Sequence, residues 1–245
     1  MAAMAPGIVQ LNPSAWNQKL TKYVKDGQLE KAMHLFQQMQ REGMTPDKFT
    51  FVQVIKACAC LGALQDGRLV HHQLIQSGCE CDVFVCNSLV DMYVKCGSIE
   101  DAWTVFNKMP SSDVVTWSTM ILGHVKCRQG QKALELFRHM QQEHVRANYV
   151  TFLGVLNPCA SVGALEEGRN VHVQIVQSGL SEVFVGSSLV DMYAKCGSIE
   201  NAWRVFNKMP SRDMLLLATG ISVGMLNGRE RKKVQRNSQV TPGLK

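Results

Sequence analysis

The chain of 245 residues is poor in the features that mark a metalloenzyme, a membrane protein or a disulfide-bonded domain. It has no C-x-x-C, and its two C-x-C pairs, Cys58/Cys60 and Cys79/Cys81, have no histidine at zinc-ligand spacing, so no metal site is expected. The two uncharged runs long enough for a membrane span, residues 1–18 and 147–165, are each broken by proline, asparagine and serine, so neither reads as one. The most tempting stretch, Met214 to Gly228, is too short and contains glycines, so no membrane partner is expected. No phosphate-binding glycine loop, nucleophile elbow or paired-carboxylate signal occurs, and no catalytic residue or cofactor is expected. The nine cysteines are odd in number and fit buried thiols in a reducing compartment better than disulfides. The net charge of +6, with a pI near 8.9, favours an anionic partner without defining one. The densest basic run, Arg229 to Arg236, suits a solvated end as well as a nucleic-acid contact. The first twelve residues lack arginine and do not resemble a full transit peptide, so either a natural leader is missing or the chain is a fragment.

What the chain does have is repetition. Val83–Asp113 and Val183–Asp213 agree at 25 of 31 positions, one hundred residues apart. Self-similarity at a fixed period marks a repeat array, whose core lies between neighbouring units. Two further unit types precede each block, giving the order 13–47, 48–82, 83–113, then 114–148, 149–182, 183–213. A truncated seventh unit is expected at 214–228, followed by a basic tail at 229–245.

Each unit reads as two helices. Val85, Leu89, Met92 and Tyr93 fall on one face of a first helix. Gly97 suits a left-handed stop, and Ser98 with Asp101 suits a capping box opening the second helix. Ile99, Ala102, Trp103, Phe106 and Met109 are expected to point inward, and Pro110 ends the helix. Cys96 and Cys196 share one repeat position on the packed side of the first helix. In these blocks glycine and proline fall only at boundaries or turns, and nothing argues for strands. The expected fold class is all-α: an α-solenoid of about six helix-turn-helix units.

The unit length fits a tetratricopeptide repeat, a scaffold for bound peptides. The wording VVTWSTMI…QKALELFRHMQQEHV, SLVDMYVKCGSIEDAWTVFNKMP and FTFVQVIKACACLGALQDGRLVHHQLIQSG instead resembles the pentatricopeptide repeats of land-plant proteins, in particular the subclass that cycles P, L and S motifs. On this resemblance the solenoid is a right-handed superhelix. P is 13–47 and 114–148, L is 48–82 and 149–182, and S is 83–113 and 183–213.

The resemblance implies single-stranded RNA as partner, one base per repeat. The fifth and last residues of a repeat would select the base. These are Asn17 with Asp47, and Asn87 with Asp113, resembling pairs that prefer uridine and tolerate cytidine. Ser118 with Asn148 resembles an adenine pair, and Ser187 with Asp213 a guanine pair. The L repeats place Val52 and Leu153 at the fifth position, where neither can hydrogen-bond a base. The second residues, Phe49, Phe84, Val115, Val150 and Phe184, would wedge between bases, while Ser14 departs from that apolar pattern. The implied target is 5′-pyrimidine-N-pyrimidine-A-N-G-3′. An alternative reading of Asp47, Asp113 and Asp213 is that each caps the next helix.

The same resemblance implies an organellar RNA-processing factor, in mitochondrion or chloroplast, of a kind that acts in cytidine-to-uridine editing. A zinc deaminase needs H-x-E and P-C-x-x-C. No histidine here begins an H-x-E, so this stretch would supply specificity, with an editing deaminase or other factor in trans. A protein-binding scaffold and a non-functional truncated fragment are the alternatives.

Overall fold

The structure, a computed structural model, describes residues 13–78, 82–180 and 182–209. The expected truncated unit, the basic tail, Cys79, Cys81 and Asp213 lie outside the described residues, as does the Phe184 side chain. Among the described residues every regular element is an α-helix. The helices are α1 (Pro13–Lys25), α2 (Leu29–Arg41), α3 (Lys48–Leu61), α4 (Leu64–Gln76), α5 (Val83–Lys95), α6 (Ile99–Lys108), α7 (Val114–Lys126), α8 (Gly130–Gln142), α9 (Tyr149–Val162), α10 (Leu165–Gln177), α11 (Glu182–Lys195) and α12 (Ile199–Lys208). The fold class expected from the sequence, all-α with paired helices, is the one found. The chain divides within α7 into two compact units, residues 1–123 and 124–245.

In the first unit α3 touches α1, α2, α4 and α5. It is apolar nearly all round, and Phe51, Val52, Val54, Ile55 and Cys58 are buried, because a helix enclosed on several sides must shed its polar face. Val52 is thus a core residue. The second helices, α2 and α6, are amphipathic instead and bury a single stripe each: Ala32, Leu35, Phe36 and Met39 in α2, and Ile99, Ala102, Val105 and Phe106 in α6. Phe36 meets Phe51 edge to face at 6.3 Å. In the second unit α9 is enclosed by α8, α10 and α11, and Phe137 meets Phe152 in the same way at 6.5 Å.

The face predicted for α5 is buried throughout, at Val85, Leu89, Met92 and Tyr93. Gly97 has φ 79°, the left-handed stop expected of it. Four expectations need correction. Ser98 forms no cap bond to the backbone; its hydroxyl donates to Asp101 Oδ2 at 2.7 Å. Asp101 is held from α4 by Arg68, at 2.9 and 2.7 Å, so the pair serves an inter-repeat contact. Trp103 is 38% exposed and lies flat on Phe106 at 5.5 Å, and Met109 is half-buried. Cys96 and Cys196 are also only half-buried. Finally, Gly186, within the second of the near-identical blocks, lies inside α11.

Candidate nucleic-acid interface

The first residues expected to act together, Asn17 and Asp47, meet side chain to side chain. Asn17 lies on α1 and Asp47 just before α3, yet Asn17 Nδ2 donates to Asp47 Oδ1 at 3.1 Å and to Oδ2 at 2.9 Å. Asp47 also caps α3: its Oδ1 accepts from Thr50 N at 2.8 Å, and Thr50 Oγ1 accepts from Asp47 N at 3.3 Å. The capping alternative and the pairing with Asn17 are therefore both present in one carboxylate, since an ionised carboxylate offers about four acceptor directions.

Asn87 and Asp113 repeat the arrangement. Asn87 Nδ2 donates to Asp113 Oδ2 at 3.1 Å, and Asp113 Oδ1 accepts from Val115 N at 3.0 Å and Thr116 N at 2.9 Å. Burial pushes the Asp113 pKa up, but the N–H donors of the Thr116 backbone, the Asn87 amide and the Val115 backbone outweigh it and hold the carboxyl below its ordinary 3.8. Each pair thus carries a carboxylate acceptor beside an amide donor at the start of a helix.

The remaining polar residues are placed differently. Ser118 is 4% exposed and its hydroxyl donates to the Val114 carbonyl at 2.7 Å. Asn148 caps α9, its Oδ1 accepting from Thr151 N and Thr151 Oγ1, each at 3.0 Å. Ser187 lies half-buried on α11, and its predicted partner Asp213 is outside the described residues.

The second residues stand in the open. Phe49, Phe84 and Val115 are each more than half exposed, while Val150 is half-buried beside the exposed Tyr149. Exposed aromatic rings are costly to leave in water and suit stacking on a flat apolar partner. Each ring has a cation over it: Lys48 Nζ lies 5.5 Å from the Phe49 centroid, and Lys56 Nζ 5.6 Å from that of Phe84. In the first unit Asn17, Asp47 and Phe49 line one open pocket of about 660 Å³ together with Ser14, Lys22 and Lys25. The pocket thus joins a donor–acceptor pair, an aromatic face and two ammonium groups. Sequence reasoning did not identify these lysines; their i, i+3 spacing on the last turn of α1 was the available signal.

This is a helical repeat protein with a polar pair set at the repeat boundary. Comparison with known proteins gives it a family. The PPR repeat family model matches residues 12–60 and 112–161, and a PPR repeat model matches residues 84–114 and 187–214, together more than half of the chain. A chloroplastic pentatricopeptide repeat-containing protein of Arabidopsis thaliana is 37% identical over 209 residues, 85% of this chain and 34% of that protein. A mitochondrial one from the same plant is 36% identical over 219 residues, 89% of this chain and 34% of the relative. The crystal structure of the pentatricopeptide repeat protein PPR10 in complex with an 18-nt psaJ RNA element matches the fold with a TM-score of 0.71 at 22% identity, over 82% of this chain and 30% of that one. The chain belongs to the pentatricopeptide repeat family. It spans about a third of the length of these two relatives.

Proposed function

We propose that this chain binds single-stranded RNA, reading about one base at each P and S repeat, as a specificity element of an organellar RNA-processing factor. The observation that carries the reading is the recurrence of one arrangement at Asn17/Asp47 and Asn87/Asp113, each with an exposed apolar residue, Phe49 or Val115, two positions on. A base inserted beside such a residue finds a donor and an acceptor at its edge, which is how unstacked RNA bases are recognised. The L repeats, with Val52 buried in the core, act as spacers. The repeat order P, L, S, taken twice in the sequence, supports membership of the subclass that cycles these motifs. Its relatives' chloroplastic and mitochondrial names support an organellar site of action, with cytidine-to-uridine editing, performed by a deaminase in trans, as the process.

The target is 5′-pyrimidine-N-pyrimidine-A-N-G-3′. At the adenine position the buried Ser118 hydroxyl donates to the Val114 carbonyl, and while that bond lasts it can only accept from a base. A gel-shift series at fixed moderate salt tests the reading, because phosphate contacts make affinity salt-dependent. The probes are U-N-U-A-N-G and the same RNA with A and G exchanged, against the intact chain and Ser118→Thr/Asn148→Asp. Preference for the first probe, moving toward G at the fourth base in the variant, supports the register. Binding no tighter than to an unrelated RNA sinks it.

A further inference from the structure

Two buried hydroxyls sit behind the paired side chains. Thr50 and Thr116 are almost wholly buried, and each is the third residue of the repeat that follows a pair. Thr50 Oγ1 lies 2.7 Å from Asn17 Oδ1 and 2.9 Å from Asp47 Oδ1. Thr116 Oγ1 likewise donates toward Asn87 Oδ1, and stands 2.9 Å from Asp113 Oδ1. We propose that Thr50 and Thr116 are specificity-determining positioning residues: each fixes the asparagine of the preceding repeat so that its amide nitrogen faces the aspartate and the base. This rests on the RNA-reading proposal above.

The argument is one of donor and acceptor sense. The carboxylate only accepts, so it draws Nδ2 of the asparagine and repels Oδ1. That leaves Oδ1 turned into the repeat boundary, where a neighbour that cannot donate would strand a carbonyl away from water. The threonine hydroxyl supplies the missing proton. With both ends of the amide held, one N–H of Nδ2 and the outer lone pairs of the carboxylate remain to meet a base.

Capping alone does not account for the hydroxyl. Asp82 caps α5 through Phe84 N at 2.9 Å and Val85 N at 3.4 Å, with valine at the third position. The residue type follows the fifth residue of the preceding repeat. Thr50, Thr116 and Thr151 come after Asn17, Asn87 and Ser118, whereas Val85 and Val185 come after Val52 and Leu153. A hydroxyl follows each polar fifth residue and a buried valine each apolar one, and at Asn17 and Asn87 the hydroxyl reaches the amide oxygen.

The test uses the full chain with Thr50→Val and Thr116→Val, singly, beside Thr50→Ser and Thr116→Ser. The probes are U-N-U-A-N-G and its relatives with C, A or G in place of either U. Each valine variant should lower the preference for uridine at its own base by about two- to tenfold, the worth of one hydrogen bond. The other uridine position should be unchanged, and each serine variant should keep the preference. Unchanged preference in a valine variant that keeps its helical circular dichroism would overturn the proposal and leave threonine as a cap only. The arrangement at Asp82 and Val85 indicates that valine fits; should a valine variant unfold, Thr50→Ala and Thr116→Ala are judged by the same outcomes. Absence of any base preference in the unmutated chain at both positions removes the RNA-reading proposal itself, and that result is visible before any threonine is changed.

Discussion

His71 on α4 and Tyr93 on α5 join two successive repeats, with Nδ1 and the phenol oxygen 2.8 Å apart and the rings edge to face at 5.7 Å. The second cycle repeats the contact between His172 and Tyr193 at 2.9 Å. Burial, with a contribution from Asp101 and against the opposing pull of Arg68, pushes the Tyr93 pKa up to about 12. The folded state therefore keeps its proton more tightly than the unfolded chain does. The stability this contributes is complete below pH about 10 and is lost as pH rises toward 12. Denaturant melts across that range should show the loss, and Tyr93→Phe should reduce it at a cost of about 1 kcal/mol at neutral pH.

Acid should act through Asp113. Its folded pKa lies below 3.8, so the stability it lends is present above that value and disappears as pH falls through the lower folded pKa. Asp113→Asn should flatten the acid limb of stability against pH and cost about 1 kcal/mol near pH 7 through weaker capping of α7. Chemical melts at stepped acidic pH would show a limb unchanged by the substitution if the carboxylate is not so held.

The thiols divide by environment. Burial first, then the nearby Asp66 and Cys96, raise Cys58 to about 12, and burial with Glu167 and Cys196 does the same for Cys159. Cys60 and Cys127 are exposed. Alkylation of the folded chain near pH 8, read by peptide mass spectrometry, should modify Cys60 and Cys127 and spare Cys58 and Cys159 until denaturant is added.

Phe49 should matter to RNA and little to folding. Its ring is largely in solvent, so Phe49→Ala should leave the melting temperature nearly unchanged. Loss of a stacking face should weaken binding of the U-N-U-A-N-G probe by about 1–3 kcal/mol, measured by fluorescence anisotropy at one salt concentration.

Among the described residues, backbone strain is concentrated at the two ends of α8. Arg128 and His144 both have φ 57°, where the equivalent positions at the ends of α2 are Gly27 and Gly43 with φ 70° and 72°. A side chain in that region costs about 1–2 kcal/mol, partly offset by the greater unfolded-state freedom of glycine. Arg128→Gly and His144→Gly should each stabilise the protein by about 0.5–1 kcal/mol, read as a rise in the denaturation midpoint.

The helical register was legible because the buried face of α5 follows the period of its apolar residues and Gly97 stops it. Trp103 was misplaced because residue type predicts burial only on average: the stripe of α6 was already filled by Ile99, Ala102, Val105 and Phe106, leaving the indole to lie over Phe106 at the edge. Ser98 and Asp101 satisfy the local spacing of a capping box. Arg68, thirty-three residues before Asp101, redirects them, and local pattern holds no record of so distant a partner. At the candidate site, the asparagines and aspartates are singled out by resemblance to a family pattern. Their bond to one another, and the threonines behind them, belong to contacts between repeats. A polar residue amid apolar neighbours, such as Thr50 in KFTFVQVI, was the one clue available.

The shared hydroxyl has a consequence for how such chains are cut and joined. Each pair is assembled from two ends of one repeat and the third residue of the next, so its true seam lies after Thr50 or Thr116, not after Asp47 or Asp113. A duplication or an engineered splice made at the repeat boundary would graft a foreign third residue beneath a native asparagine. Transplanted units should carry their neighbour's first three residues with them.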